Sequence, residues 1–131
     1  MTPETDPRIA RARELKESGK YNCAQAVACA FAESVGADPE EVMKMTAAFG
    51  VGMGSMRATC GALIGAGVIV GLATGDRVGS MKLARGIIEE FAARNGATVC
   101  GDLKGVATGR PLRPCADCVA DAARLLAGAL A

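Results

Sequence analysis

Apolar residues recur at three- and four-residue spacing along most of this chain, and polar or glycine-bearing breaks separate the runs. Positions 23, 27, 30, 31 and 34 share one helical face, which an Asn22 cap with Gln25 three residues later opens and Gly36 closes. Asp6-Pro7 starts an earlier helix that runs to about Ser18 before Gly19, with Ile9 and Leu15 as its anchors. Asp38-Pro39-Glu40-Glu41 starts a third, which carries Val42, Met45 and Phe49. A fourth runs from Cys60 to about Thr74, with Thr59 as its cap. Met81, Leu83, Ile87, Ile88 and Phe91 mark a fifth, from about Val78 to Arg94, ended by Asn95-Gly96. Thr98 to Gly105 reads as an irregular connection with one helical turn, and Thr108 to Pro114 as a loop. Cys115 opens the last helix, with Val119, Ala122, Leu125, Leu126 and Leu130 on its apolar side. No stretch reads as a strand. The pattern predicts an all-α bundle of about six helices with short loops, forming a single domain over residues 1–131.

Composition adds a packing constraint. Half of the 131 residues are apolar, yet the aromatic residues are only Tyr21, Phe31, Phe49 and Phe91, so Ala, Val, Leu, Ile and Met must build the core. Met45, Met53, Met56 and Met81 are expected to fill that core rather than to form a copper site. The fourth helix carries glycines at 61, 65, 67 and 71, each costing about 1 kcal/mol against Ala in a helix interior. Close neighbours would offset that cost, which places this helix at the centre of the bundle.

The net charge is +1, so no global field recruits nucleic acid or a membrane surface. The basic residues Arg8, Arg11, Arg13, Lys16 and Lys20 are interspersed with Glu14 and Glu17, as on a solvated helix face. Residues 1–6 show no signal-peptide pattern, and the apolar run from Ala62 to Ala73 is too short to span a bilayer. A cytoplasmic location is the expectation. A mean hydropathy of +0.25 is high for so small a chain, and a homodimer would cover the excess apolar surface.

Six cysteines and no histidine narrow the chemistry. The missing imidazole removes Cys₂His₂ zinc, Cys–His and Ser–His–Asp catalysis, and haem attachment through C-x-x-C-H. Cys23, Cys60 and Cys115 each fall on the first turn of a predicted helix, where free N–H groups and the helix dipole favour a thiolate. Cys100 lies in a glycine-flanked turn, and Cys29 reads as core filling. Cys115-Ala116-Asp117-Cys118 is a C-x-x-C, read as one functional cysteine with the other packed on the next turn. Gly50, Gly52 and Gly54 lack the strand and Lys-Ser/Thr context of a phosphate loop and suit a close backbone approach to the cysteines. Arg57, the only charge of that loop, is expected to offset clustered thiolates.

The segments Asn22-Cys23-Ala24-Gln25-Ala26-Val27, Gly52-Met53-Gly54 and Cys60-Gly61-Ala62-Leu63-Ile64-Gly65, then Cys100 with Leu103 and Gly105, then a cysteine ahead of Val119-Ala120-Asp121-Ala122-Ala123, resemble the C_GCAxxG_C_C family of redox-active proteins. The resemblance runs from about Tyr21 to Ala123. It implies four site cysteines, which fall here on Cys23, Cys60, Cys100 and Cys115, and it implies redox or metal chemistry without naming a substrate or redox partner. Four thiolates could exchange thiol for disulfide, with Cys60 as nucleophile, or carry electrons through a Cys₄ [2Fe–2S] cluster. They could also hold a structural zinc. A non-enzymatic helical scaffold that forms homo-oligomers is the rival class. No general acid/base array accompanies the cysteines, so a thiol-based oxidoreductase is the enzyme class left open.

Overall fold

The computed structural model describes residues 5–131; residues 1–4, where the signal-peptide reading begins, lie outside the described residues. Among the described residues seven α-helices follow in order: α1 (Pro7–Glu17), α2 (Cys23–Phe31), α3 (Pro39–Met45), α4 (Gly61–Thr74), α5 (Arg77–Asn95), α6 (Cys100–Lys104) and α7 (Cys115–Leu130). Six of them have seven residues or more, and α6 is a single short turn. Among the described residues there is no strand, only an isolated bridge between Thr59 and Val99. The fold is an all-α bundle.

The caps explain where the elements begin. Asp6 accepts from the Arg8 backbone N–H, Asp38 from that of Glu40 and Asp76 from that of Gly79. Asn22 and Gln25 form a reciprocal capping box that fixes Cys23 as the first residue of α2. Left-handed Gly36, Gly75 and Gly96 stop the chain where the sequence places its breaks.

Three expectations are corrected. The third helix ends at Met45 instead of continuing to Phe49, because the buried Thr46 hydroxyl donates to the Val42 carbonyl at 2.7 Å and the chain tightens into a 3₁₀ turn over Ala47–Phe49. Cys60 is the cap of α4 rather than its first residue; Thr59 is held in the bridge to Val99 and so cannot cap. Met45, Met53, Met56 and Met81 are exposed, not core. Met45 and Met81 lie on the outward faces of α3 and α5, while Met53 and Met56 ride on the glycine loop.

Packing centres on α2, α4 and α7. Helix α4 packs against α2, α5 and α7, and α1 closes the far side across α2 and α7. The approach of α4 to α2 is very close: a Cβ at Gly65 would stand 2.4 Å from the Ala24 carbonyl oxygen, and one at Gly61 would stand 2.5 Å from that of Phe49. Only hydrogen fits at either position. Gly67 and Gly71 meet nothing, so the central placement of α4 is earned by half of its glycines. Phe31, Phe91, Ile69, Leu126, Val27 and Val119 fill the core that this approach leaves. No helix among the described residues is long and apolar enough to cross a membrane.

Candidate functional site

Four helices begin at one end of the bundle, and each begins at a cysteine. Cys23, Cys100 and Cys115 are the first residues of α2, α6 and α7, and Cys60 caps α4. Backbone pairing joins two of these starts. The Cys60 N–H donates to the Thr98 carbonyl at 2.7 Å, and the Cys100 N–H donates to that of Ala58 at 3.0 Å. The glycine loop then lies over Cys100. A Cβ at Gly52 would stand 2.8 Å from the Cys100 Cβ, and Gly52 has φ +56°, so the position favours glycine twice over. Val51, Met53 and Met56 also take positive φ, an unfavourable conformation held in place beside the site.

Cys23, Cys60, Cys100, Cys115 and Cys118 all line one small cavity of about 30 Å³, together with Lys16, Lys104 and Arg113. Cys118, expected to be packed away on the next turn, therefore shares the enclosure. Cys29 does not; it sits half-buried with its Sγ donating to the Pro39 carbonyl at 3.7 Å. Arg57 is exposed and does not line the cavity. Lys16 and Lys104 occupy the electrostatic position expected of Arg57. Lys104 follows Cys100 by one helical turn, a spacing that the sequence displays. Lys16 reaches the site only through the packing of α1, which no local pattern announces.

The sulfurs interact in two pairs. Cys23 faces Cys115: the contact with the Cys23 thiol pulls Cys115 down to about 5 against the opposing effect of burial, with help from the charges of Lys104 and Lys16. The same contact, followed by burial and the nearby Cys60, pushes Cys23 well above the ordinary thiol range. Cys60 faces Cys118 in the same manner. Cys60 is lowered by the Cys118 thiol and by the backbone N–H groups of Ala62 and Leu63, whereas Cys118 is raised by Cys60 and by burial. Cys100 is raised by burial. Each pair thus sets one lowered thiol against one raised thiol. The regular sulfur hydrogen bond here is from Cys118 Sγ to the Arg113 carbonyl at 3.8 Å, which also favours the protonated form of Cys118.

All six cysteines are free thiols. Cys23, Cys60, Cys100 and Cys118 are buried, and Cys115 is half-buried, the least buried residue of the five around the cavity. No group of three or more His, Cys, Asp or Glu among the described residues is arranged to hold a metal ion. Asp117 beside the C-x-x-C is engaged by Arg13 at 2.8 Å, which ties the start of α7 to α1.

Comparison with known proteins gives one match. A family model described as "Putative redox-active protein (C_GCAxxG_C_C)" matches residues 21–129. No curated protein and no solved structure matches the chain.

Proposed function

With the chain a member of the C_GCAxxG_C_C family, we propose that it is a thiol/disulfide redox protein whose primary couple is Cys115 and Cys23. The observation that carries this reading is geometric: Cys23 and Cys115, the first residues of α2 and α7, line one cavity with Lys16 and Lys104, and Cys115 is the less buried of the two. The electrostatics point the same way, with Cys115 lowered and Cys23 raised. A thiolate attacks and a neighbouring thiol resolves; that is the requirement of two-electron exchange. The nucleophile in this reading is Cys115 rather than Cys60, because Cys60 is only 5% exposed.

The reaction partner is a disulfide R–S–S–R′. The Cys115 thiolate attacks one sulfur, the S–S bond breaks, and R′S⁻ leaves with its electron pair. The Cys23 thiol then gives up its proton to solvent, its sulfur attacks Cys115 Sγ, and RS⁻ leaves. The dithiol loses two electrons and becomes the Cys23–Cys115 disulfide; the substrate gains them and becomes two thiols. Cys60, lowered, and Cys118, raised, form a second pair on the same cavity. Lys16 and Lys104 stabilise the negative charge of the Cys115 thiolate.

Thiol titration of the protein under denaturing conditions, after mild oxidation and again after reduction, tests this. The reading expects the oxidised protein to lack at least two titratable thiols that reduction restores, and Cys115→Ser to abolish the first loss. An unchanged thiol count across a range of oxidant strengths would leave the helical scaffold as the better account.

A further inference from the structure

Beside the thiol cavity lies a second, larger hollow of about 460 Å³, lined by Arg94, Asn95, Leu112, Arg113, Asp121 and Arg124. At its base Asp121 is 1% exposed, and its carboxylate accepts from five donors. Arg113 donates from Nε at 3.0 Å and from Nη2 at 3.2 Å, Arg124 at 3.0 Å, Arg94 at 3.3 Å and Asn95 Nδ2 at 3.2 Å. This is more than one carboxylate needs for neutrality. Among the residues lining the hollow three guanidinium groups meet one carboxylate, a formal surplus of two positive charges, and Arg113 also feels Asp117 and Cys118 from the side of the thiol cavity.

The geometry resembles a mount. Five contacts occupy the oxygens of Asp121, so its charge is turned inward, and its bonds hold three planar donors from α5, from the loop before α7, and from α7 itself. The arginine side chains remain 46%, 38% and 27% exposed for Arg94, Arg113 and Arg124, so part of each faces the hollow. A guanidinium has five N–H donors, and Asp121 uses only one or two from each. Pre-oriented donors with spare N–H groups and a surplus of two charges match a dianionic tetrahedral oxyanion better than a monoanionic carboxylate.

We propose that Arg94, Arg113 and Arg124, held by Asp121, form a binding site for a phosphate-type dianion, either free phosphate or the phosphate group of a small organic monoester. Arg113 lines both hollows, so the bound anion would sit one side chain away from the thiol cavity. The site stands independently of the redox reading, since its test uses binding alone.

Calorimetric titration of the intact protein with inorganic phosphate, and separately with phenyl phosphate, at low ionic strength tests it, with sodium chloride as the ionic-strength control. Saturable binding in the millimolar range or tighter is expected, weakened about tenfold in Arg94→Gln and in Arg124→Gln, where the amide can still donate to Asp121. Circular dichroism of each variant establishes that it is folded, and Arg94→Lys, which keeps the charge, retains most of the affinity. Tighter binding of phenyl phosphate assigns the site to monoesters; equal or weaker binding assigns it to free phosphate. No saturable binding to wild type, or equal displacement by chloride at matched ionic strength, overturns the proposal. So does undiminished binding in both folded Gln variants.

Discussion

Cys115, the first residue of α7, and Cys23, the first residue of α2, are ninety-two positions apart in the chain and line one common cavity, with Cys115 lowered and Cys23 raised by their mutual contact. The pairing sets a sign for the pH dependence of the reactivity of Cys115. Its thiolate fraction grows as pH rises through about 5 and is essentially complete at neutrality, whereas an ordinary thiol, near 9.0, is still mostly protonated there. Alkylation of Cys115 by iodoacetamide, followed by peptide mass spectrometry, is expected to level off above about pH 6 and to fall as the solution is acidified through the pKa. In Cys23→Ala the profile should move to higher pH, because no neighbouring side-chain donor then stabilises the thiolate.

The lysines are expected to act in the same direction with smaller effect. Lys104→Met and Lys16→Met should each shift the Cys115 alkylation profile upward, by about one pH unit or less, since each removes a cation that favours the thiolate. Arg57→Ala, on the exposed loop, should leave that profile where it is. The comparison separates specific charges from any nearby positive residue.

The glycines of α4 and its loop give opposite signs. Gly65→Ala places a Cβ against the Ala24 carbonyl and should destabilise by about 1–3 kcal/mol, as expected of overpacking between close backbones. Gly52→Ala adds strain at positive φ to a clash with Cys100 Cβ, with a cost of similar size. Gly67→Ala meets open space within a helix and should stabilise by about 0.5–1 kcal/mol. Urea denaturation of the three variants reads all of these, and a destabilising Gly67→Ala would contradict the packing described for α4.

Much of this arrangement is legible in the sequence because local chemistry determines it. Asp6, Asn22 with Gln25, Asp38 and Asp76 fix four helix starts, and glycines fix several ends. The cysteines then fall where those caps put them. What local pattern does not encode is which surfaces meet. The hydroxyl of Thr46 shortens α3 by turning back on its own helix, and the bridge from Thr59 to Val99 transfers the capping position to Cys60. The partnership of Cys118 with Cys60, the reach of Lys16 across α1, and the role of Asp121 all depend on tertiary placement. The exposed methionines are the opposite lesson: apolar identity alone does not show which side of a helix faces inward.

Asp121 should be costly to remove. It is buried among three arginines, so Asp121→Ala leaves their charges without their common acceptor and is expected to lower stability by about 3 kcal/mol or more. Arg94→Gln, at the half-exposed edge of the group, should cost about 1 kcal/mol or less. Urea denaturation distinguishes the two, and equal effects would argue against Asp121 as the hub.

The most direct measurement is the identity of the first disulfide that forms. Wild-type protein is oxidised mildly, alkylated to block remaining thiols, digested without reduction and analysed by mass spectrometry. A crosslink joining the peptide of Cys23 to that of Cys115 as the earliest product, reversed by a dithiol, is the predicted result. Persistence of both residues as alkylated monomeric peptides while other cysteines crosslink would contradict the account.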